Sequence, residues 1–211
     1  MEEKDNDILD LQKRFLDLIM PDSFPDELKT NMREYIYFRK ELTSESERGC
    51  ALLAASHLDF LLEKVLKVKL IGSNKLKKQL FDFNGPLGTF SSRILMAYSL
   101  GLISEIRLND LQTIRKIRND FGHSPSIISF EDEKIKSLCN NLNLCTKSNK
   151  TSRSKFTTSV SWISGGLMAL VHKEKPFEPN EEIDIQKVKN TSEEFRNLVT
   201  EIMEIEKDKS K

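Results

Sequence analysis

Apolar residues recur along most of this chain at intervals of three and four, the period of a helix buried on one side. Residues 5 to 20 carry such a stripe on Ile8, Leu11, Phe15 and Leu18, and Pro21 and Pro25 break it. A second helix is predicted from Pro25 to about Leu42, on Leu28, Met32, Tyr35 and Phe38. Together they predict an N-terminal helical hairpin over residues 1–42, packed on a body spanning 43–211. Ser44, with Glu47 three residues on, predicts a capping box for the next helix. From Cys50 to Leu62 that helix is apolar on almost every side, which predicts a place in the middle of a bundle. Gly72-Ser73-Asn74 ends it.

A short basic helix follows from Lys75 to Phe81, then the turn-rich stretch Asn84-Gly85-Pro86-Leu87-Gly88. The next helix runs from about Ser91 to Leu100 and stops at Gly101, a residue suited to a C-terminal cap. Ser104 caps a helix whose stripe is Leu108, Leu111, Ile114, Ile117 and Phe121, with Gly122 and Pro125 as its stop. Another helix is expected from Phe130 to Leu144, then a polar loop over residues 146–154. Residues 155–173 mix strand formers such as Val160 and Trp162 with a helical stripe on Leu167, Leu170 and Val171. Their length and the lack of a partner strand favour helix, with Trp162 in the core. Residues 183 to about 206 form a last charged helix on Val188, Phe195, Leu198, Ile202 and Ile205. The pattern predicts an all-α fold, a single bundle of about eight or nine helices.

Composition narrows the function classes. Lys plus Arg and Asp plus Glu both number 33, so the formal net charge is zero. Sequence-independent nucleic-acid binding needs surplus cations to displace counterions, which argues against a large DNA footprint. Cys50, Cys139 and Cys145 are odd in number and irregularly spaced, and only His57, His123 and His172 stand beside them as nitrogen ligands. That set predicts reduced thiols and no metal site, and no motif calls for a cofactor. The acidic start, MEEKDNDILD, has no apolar signal core, and no apolar run approaches the ~20 residues that span a bilayer. A cytoplasmic protein without membrane contact is expected.

The candidate site is Arg118-Asn119-Asp120-Phe121-Gly122-His123. Arginine offers a permanent cation with a planar donor fork for phosphate. Histidine titrates near neutral pH. As a pair, His123 would move a proton while Arg118 stabilises charge on phosphorus oxygens, the needs of metal-free RNA cleavage. Asn119 shares the His123 face if the helix persists, and Asp120 could orient the imidazole. Five residues turn a straight helix by about 140°, so the pair meets only if the helix stops at Gly122. The structural alternative is a helix-terminal histidine on the helix dipole with arginine and aspartate paired across the bundle. Glu47, Arg48, Asp59 and Glu63 could supply polar contacts to Arg118, and Arg48 is expected in a buried ion pair. His57 reads as a hydrogen-bonded core residue. The Asn84–Gly88 turn lacks a Walker lysine and a preceding strand.

SESERGCALLAASHLDFLLEKVL, then FDFNGPLGTFSSRILMAYSLGLISEIRLNDLQTIRKIRNDFGHS and SFEDEKIKSLC, resembles the mannitol operon repressor (MtlR) family. The likeness covers roughly residues 40 to 145. It rests on Arg48-Gly49, the Asn84–Gly88 turn, Arg93, Gly101-Leu102-Ile103 and Ile117–Phe121. The resemblance implies an all-α cytoplasmic regulator without a familiar helix-turn-helix, working partly through protein partners such as the phosphocarrier of the sugar phosphotransferase system. Direct DNA binding is not expected. Arg118-Asn-Asp-Phe-Gly-His123 is also similar to the Arg-x4-6-His motif of HEPN-superfamily helical domains. That second resemblance implies a homodimeric, metal-independent ribonuclease acting on RNA, or an inactive binding relative.

Overall fold

The computed structural model describes residues 26–145, 148 and 150–209, and every regular element among them is an α-helix. The expected helix over residues 5 to 20, half of the N-terminal hairpin, lies outside the described residues. The helices are α1 (Asp26–Ser44), α2 (Glu47–Lys69), α3 (Asn74–Phe81), α4 (Phe90–Ser99), α5 (Glu105–His123), α6 (Glu133–Asn140), α7 (Ser152–Lys173) and α8 (Ile185–Lys209).

Polar caps set most of the starts. Ser73, Thr89, Ser104 and Thr151 each accept a backbone N–H of the first turn, satisfying one of the donors that a helix start leaves open. The cap of α2 is Ser46, whose hydroxyl accepts from the Gly49 N–H, rather than Ser44. Ser44 still belongs to α1 and donates its hydroxyl to the Glu41 carbonyl. At Gly101 the chain leaves α4 with φ of 68°, a conformation open to glycine.

Helix α2 is the axis of the first compact unit, which ends at Phe177. It packs on α1, α4, α5 and α7. Cys50, Ala51, Ala54, Leu58, Leu62, Val65 and Leu66 are buried along it. Small residues in its first half let neighbouring helices approach closely. Phe121, Phe130 and Phe156 join α5, the 124–132 loop and α7 through tilted ring contacts of 5.0 and 5.1 Å. Burying such rings contributes roughly 1.5–3 kcal/mol each.

Three expectations need correction. Residues 130–144 form a shorter helix, Glu133–Asn140. Asp110, fully buried on α5, accepts from the Asn143 and Leu144 N–H groups and from the Asn143 amide, which holds the chain in a turn beyond α6. Trp162 is 61% exposed, not core. Helix α7 buries Phe156, Val160, Ile163 and Leu167, and at 100° per residue position 162 faces away from that stripe. His57 is half-buried and stacks on Phe38 at 3.7 Å, with no hydrogen bond to its Nε2.

The second unit, Glu178–Lys211, contains α8. Val188, Phe195, Leu198, Ile202 and Ile205 are exposed on it.

Candidate functional site

Helix α5 carries the whole Arg118–His123 segment, and it runs unbroken to His123. The Ser124 N–H still bonds to the Asp120 carbonyl. Gly122 is therefore a helical residue and not the stop. Its open flank faces only Leu52 of α2, at ordinary packing distance. The continuous helix sends Arg118 and His123 to different sides.

Arg118 opens into a cleft of about 570 Å³ between α2, the 82–90 turn, α4 and α5, which Arg115, Asp59, Phe83 and Phe90 also line. His123 borders a separate groove of about 410 Å³ with Asp120, Lys134 and Ile135. Asn119 lies on the divide and touches both. Its Oδ1 accepts from Arg118 Nη1 at 3.0 Å. Asp120 is held by Lys134 at 2.6 Å, and among the described residues it forms no hydrogen bond or ion pair with the His123 ring. The structure thus brings Arg118 to Asn119, and Asn119 and Asp120 to the His123 groove, but does not place Arg118 and His123 in one depression.

The polar residues at the start of α2 serve the other end of this segment. Arg48 is exposed, and its Nη2 donates to the Ser124 and Ser126 carbonyls, both at 2.9 Å. The Glu47 carboxylate accepts the Phe130 N–H at 2.8 Å. These contacts clasp the loop that leaves α5. The expected buried ion pair of Arg48 is not formed.

Arg93 takes that role instead. It is 7% exposed on α4. Its Nη1 lies 2.8 Å from Asp59, its Nη2 lies 2.8 Å from Glu63, and its Nε donates to the Leu87 carbonyl at 2.8 Å. The guanidinium also sits over the Phe81 ring. A desolvated arginine with two carboxylates and a carbonyl is satisfied on every edge. Burial pushes the Asp59 carboxyl above its usual value, and the Arg93 charge pulls it back, with Arg118 adding a smaller pull in the same direction. Asp59 and Glu63 are thus partners of Arg93 and not of Arg118.

The Asn84–Gly88 turn carries Leu87 to Arg93. Gly85 lies so close to the Gln79 and Leu80 carbonyls, and Gly88 to those of Asp82 and Phe83, that a Cβ at either would collide with backbone. These glycines are needed for close approach, not for left-handed dihedrals. Their spacing in the sequence was the available signal. The Arg93 partners had none, because they come from a helix some thirty residues earlier.

Burial also raises the thiols of Cys50, to about 11, and Cys139, to about 12. Both stay protonated at neutral pH, which makes them poor nucleophiles and poor ligands. Among the described residues no group of three His, Cys, Asp or Glu side chains is arranged to hold a metal ion. No described helix is long and apolar enough to cross a membrane.

The family model described as Mannitol repressor matches residues 51–164, more than half of the chain. The chain belongs to the MtlR family. The matched region begins inside α2 and ends inside α7, so it contains Arg93, its carboxylate partners, the Gly85–Gly88 turn and the Arg118–His123 segment. A chain in the X-ray structure of the MtlR-HPr complex from Escherichia coli has the same fold, with a TM-score of 0.53 at 19% identity. The match covers 63% of this chain and 97% of that one. No curated protein matches the chain in sequence.

Proposed function

We propose that this MtlR-family member is a cytoplasmic, repressor-type transcriptional regulator that acts mainly through protein–protein contacts, as a homodimer. A phosphocarrier protein of the HPr kind is the proposed partner. The observation that carries this reading is the family match across residues 51–164. The shared fold with a chain crystallised in complex with HPr supports the partner class. The balance of 33 cationic and 33 anionic residues supports protein contacts over a broad phosphate-binding face. The proposal keeps the N-terminal hairpin over residues 1–42 as an appendage, supported by the packing of α1 on α2 and α7.

In this reading Arg118, Asn119, Asp120 and His123 serve recognition and local structure. The ribonuclease alternative gains no support from the separate openings of Arg118 and His123. Gel shift on the promoter region adjoining the gene, at physiological salt, tests the account. The expected result is no sequence-specific shift by the chain alone at concentrations where it binds the phosphocarrier. A specific shift by the chain alone, with no phosphocarrier binding, would contradict it.

A further inference from the structure

The Arg118 cleft has a chemistry of its own that protein docking elsewhere does not use. Its floor carries two guanidiniums one helical turn apart, Arg115 and Arg118. Neither has a carboxylate within ion-pairing distance among the described residues; Arg115 Nε donates only to Gln112, and Arg118 only to Asn119. The single carboxylate in the lining, Asp59, is neutralised by Arg93. The cleft is therefore cationic in a protein whose charges otherwise balance.

Three further features converge there. The first two residues of α4, Phe90 and Ser91, line the cleft, and the first amides of a helix are those without an intrahelical acceptor. Ser56, Ser91 and Asn119 add hydroxyl and amide groups. Phe83, 87% exposed, and Phe90 supply aromatic faces. An arginine pair and a helix N-terminus suit a dianionic phosphoryl group. Hydroxyl and amide groups beside an aromatic face suit a polyhydroxylated carbon chain, whose C–H edges pack on the ring. The volume lies within the roughly 300–1,000 Å³ of ligand sites.

We propose that the cleft between α2, the 82–90 turn, α4 and α5 binds a small phosphorylated polyol or sugar, with Arg115 and Arg118 holding the phosphoryl group. The ligand would act as an effector of the regulator. Binding stands on the cleft alone and not on the phosphocarrier reading, whereas the effector role rests on the proposed regulator.

Isothermal titration calorimetry of the full chain tests it, with mannitol 1-phosphate as probe and mannitol, inorganic phosphate and AMP as comparators. Saturable binding of the polyol phosphate is expected, tighter than all three comparators. Arg118→Ala and Arg115→Ala should each weaken it about tenfold or more, the loss of a charge-assisted hydrogen bond. Lys116→Ala, an exposed cation on the same helix but outside the cleft, should leave it unchanged. Circular dichroism melts of the three variants should coincide with wild type, so that a loss reports binding and not unfolding. The proposal is overturned by no saturable heat at about 1 mM ligand, by equal loss in Lys116→Ala, or by a comparator that binds as tightly as the ester.

Discussion

Two arginines stand near the same carboxylate of α2, and they have opposite fates. Arg93 comes from α4, is buried, and is bonded to Asp59, Glu63 and the Leu87 carbonyl. Arg118 comes from α5, is exposed, and has only the Asn119 amide. One guanidinium is part of the fold and the other remains available to a ligand. The difference is set by which helix places its guanidinium against the carboxylates, not by the residue type. A short motif around an arginine therefore says little about its role until its acceptors are counted.

The largest effect separates the two directly. Arg93→Ala leaves Asp59 without its cation and Glu63 with Lys67 alone, and should destabilise the protein by about 3 kcal/mol, the low end for a broken buried pair because both carboxylates keep some solvent. Arg118→Ala should change stability by less than about 0.5 kcal/mol, as a surface substitution. Urea denaturation of both variants measures the gap, and equal losses would break the comparison.

A half-buried imidazole whose Nε2 has no hydrogen-bond partner gives the next effect. Burial lowers His57 from 6.5 to about 4. Its folded value is thus below its unfolded one, so the unfolded chain binds more protons between those limits. Stability should fall as the pH drops from about 6.5 toward 4, by up to about 3 kcal/mol. In His57→Leu, denaturation curves at pH 7 and pH 4.5 should lie closer together than in wild type. An unchanged pH dependence would show that His57 does not face this penalty.

Gly85→Ala sharpens the comparison from the turn side. The new methyl would meet the Gln79 and Leu80 carbonyls, and relieving that clash moves the segment that delivers Leu87 to Arg93. A loss of about 1–3 kcal/mol is expected by thermal melting. Glu47→Ala removes the acceptor of the Phe130 N–H and should cost about 1 kcal/mol. Smallest of all is the expected difference in metal-free RNA degradation between wild type and His123→Ala, namely none. A clear drop in the variant would restore a catalytic role for the segment.

Much of the fold was legible because helices announce themselves locally. The stripe from Leu108 to Phe121, the serine at 104 and the glycine at 101 lie in one short stretch and place α5 and its entry. The apolar girth of residues 50–62 likewise shows as the buried axis of the first unit. What failed was tertiary. Arg48 and Arg93 are both arginines near apolar runs, and only the packing of α4 on α2 decides which one meets Asp59 and Glu63. Asp110 caps a turn thirty-three residues away, with no sequence signal to pair them. Trp162 is different, since extending the stripe of Phe156, Val160, Ile163 and Leu167 by helical period would have put it outside. At the candidate site, arginine and histidine chemistry was readable, but their separation depended on α5 continuing through Gly122.

The proposed regulator is tested most directly by titrating a purified HPr-type phosphocarrier into the full chain and following heat or fluorescence. The account predicts saturable, stoichiometric binding. No binding in either phosphorylation state of the carrier, under conditions where the chain alone recognises promoter DNA, would contradict it.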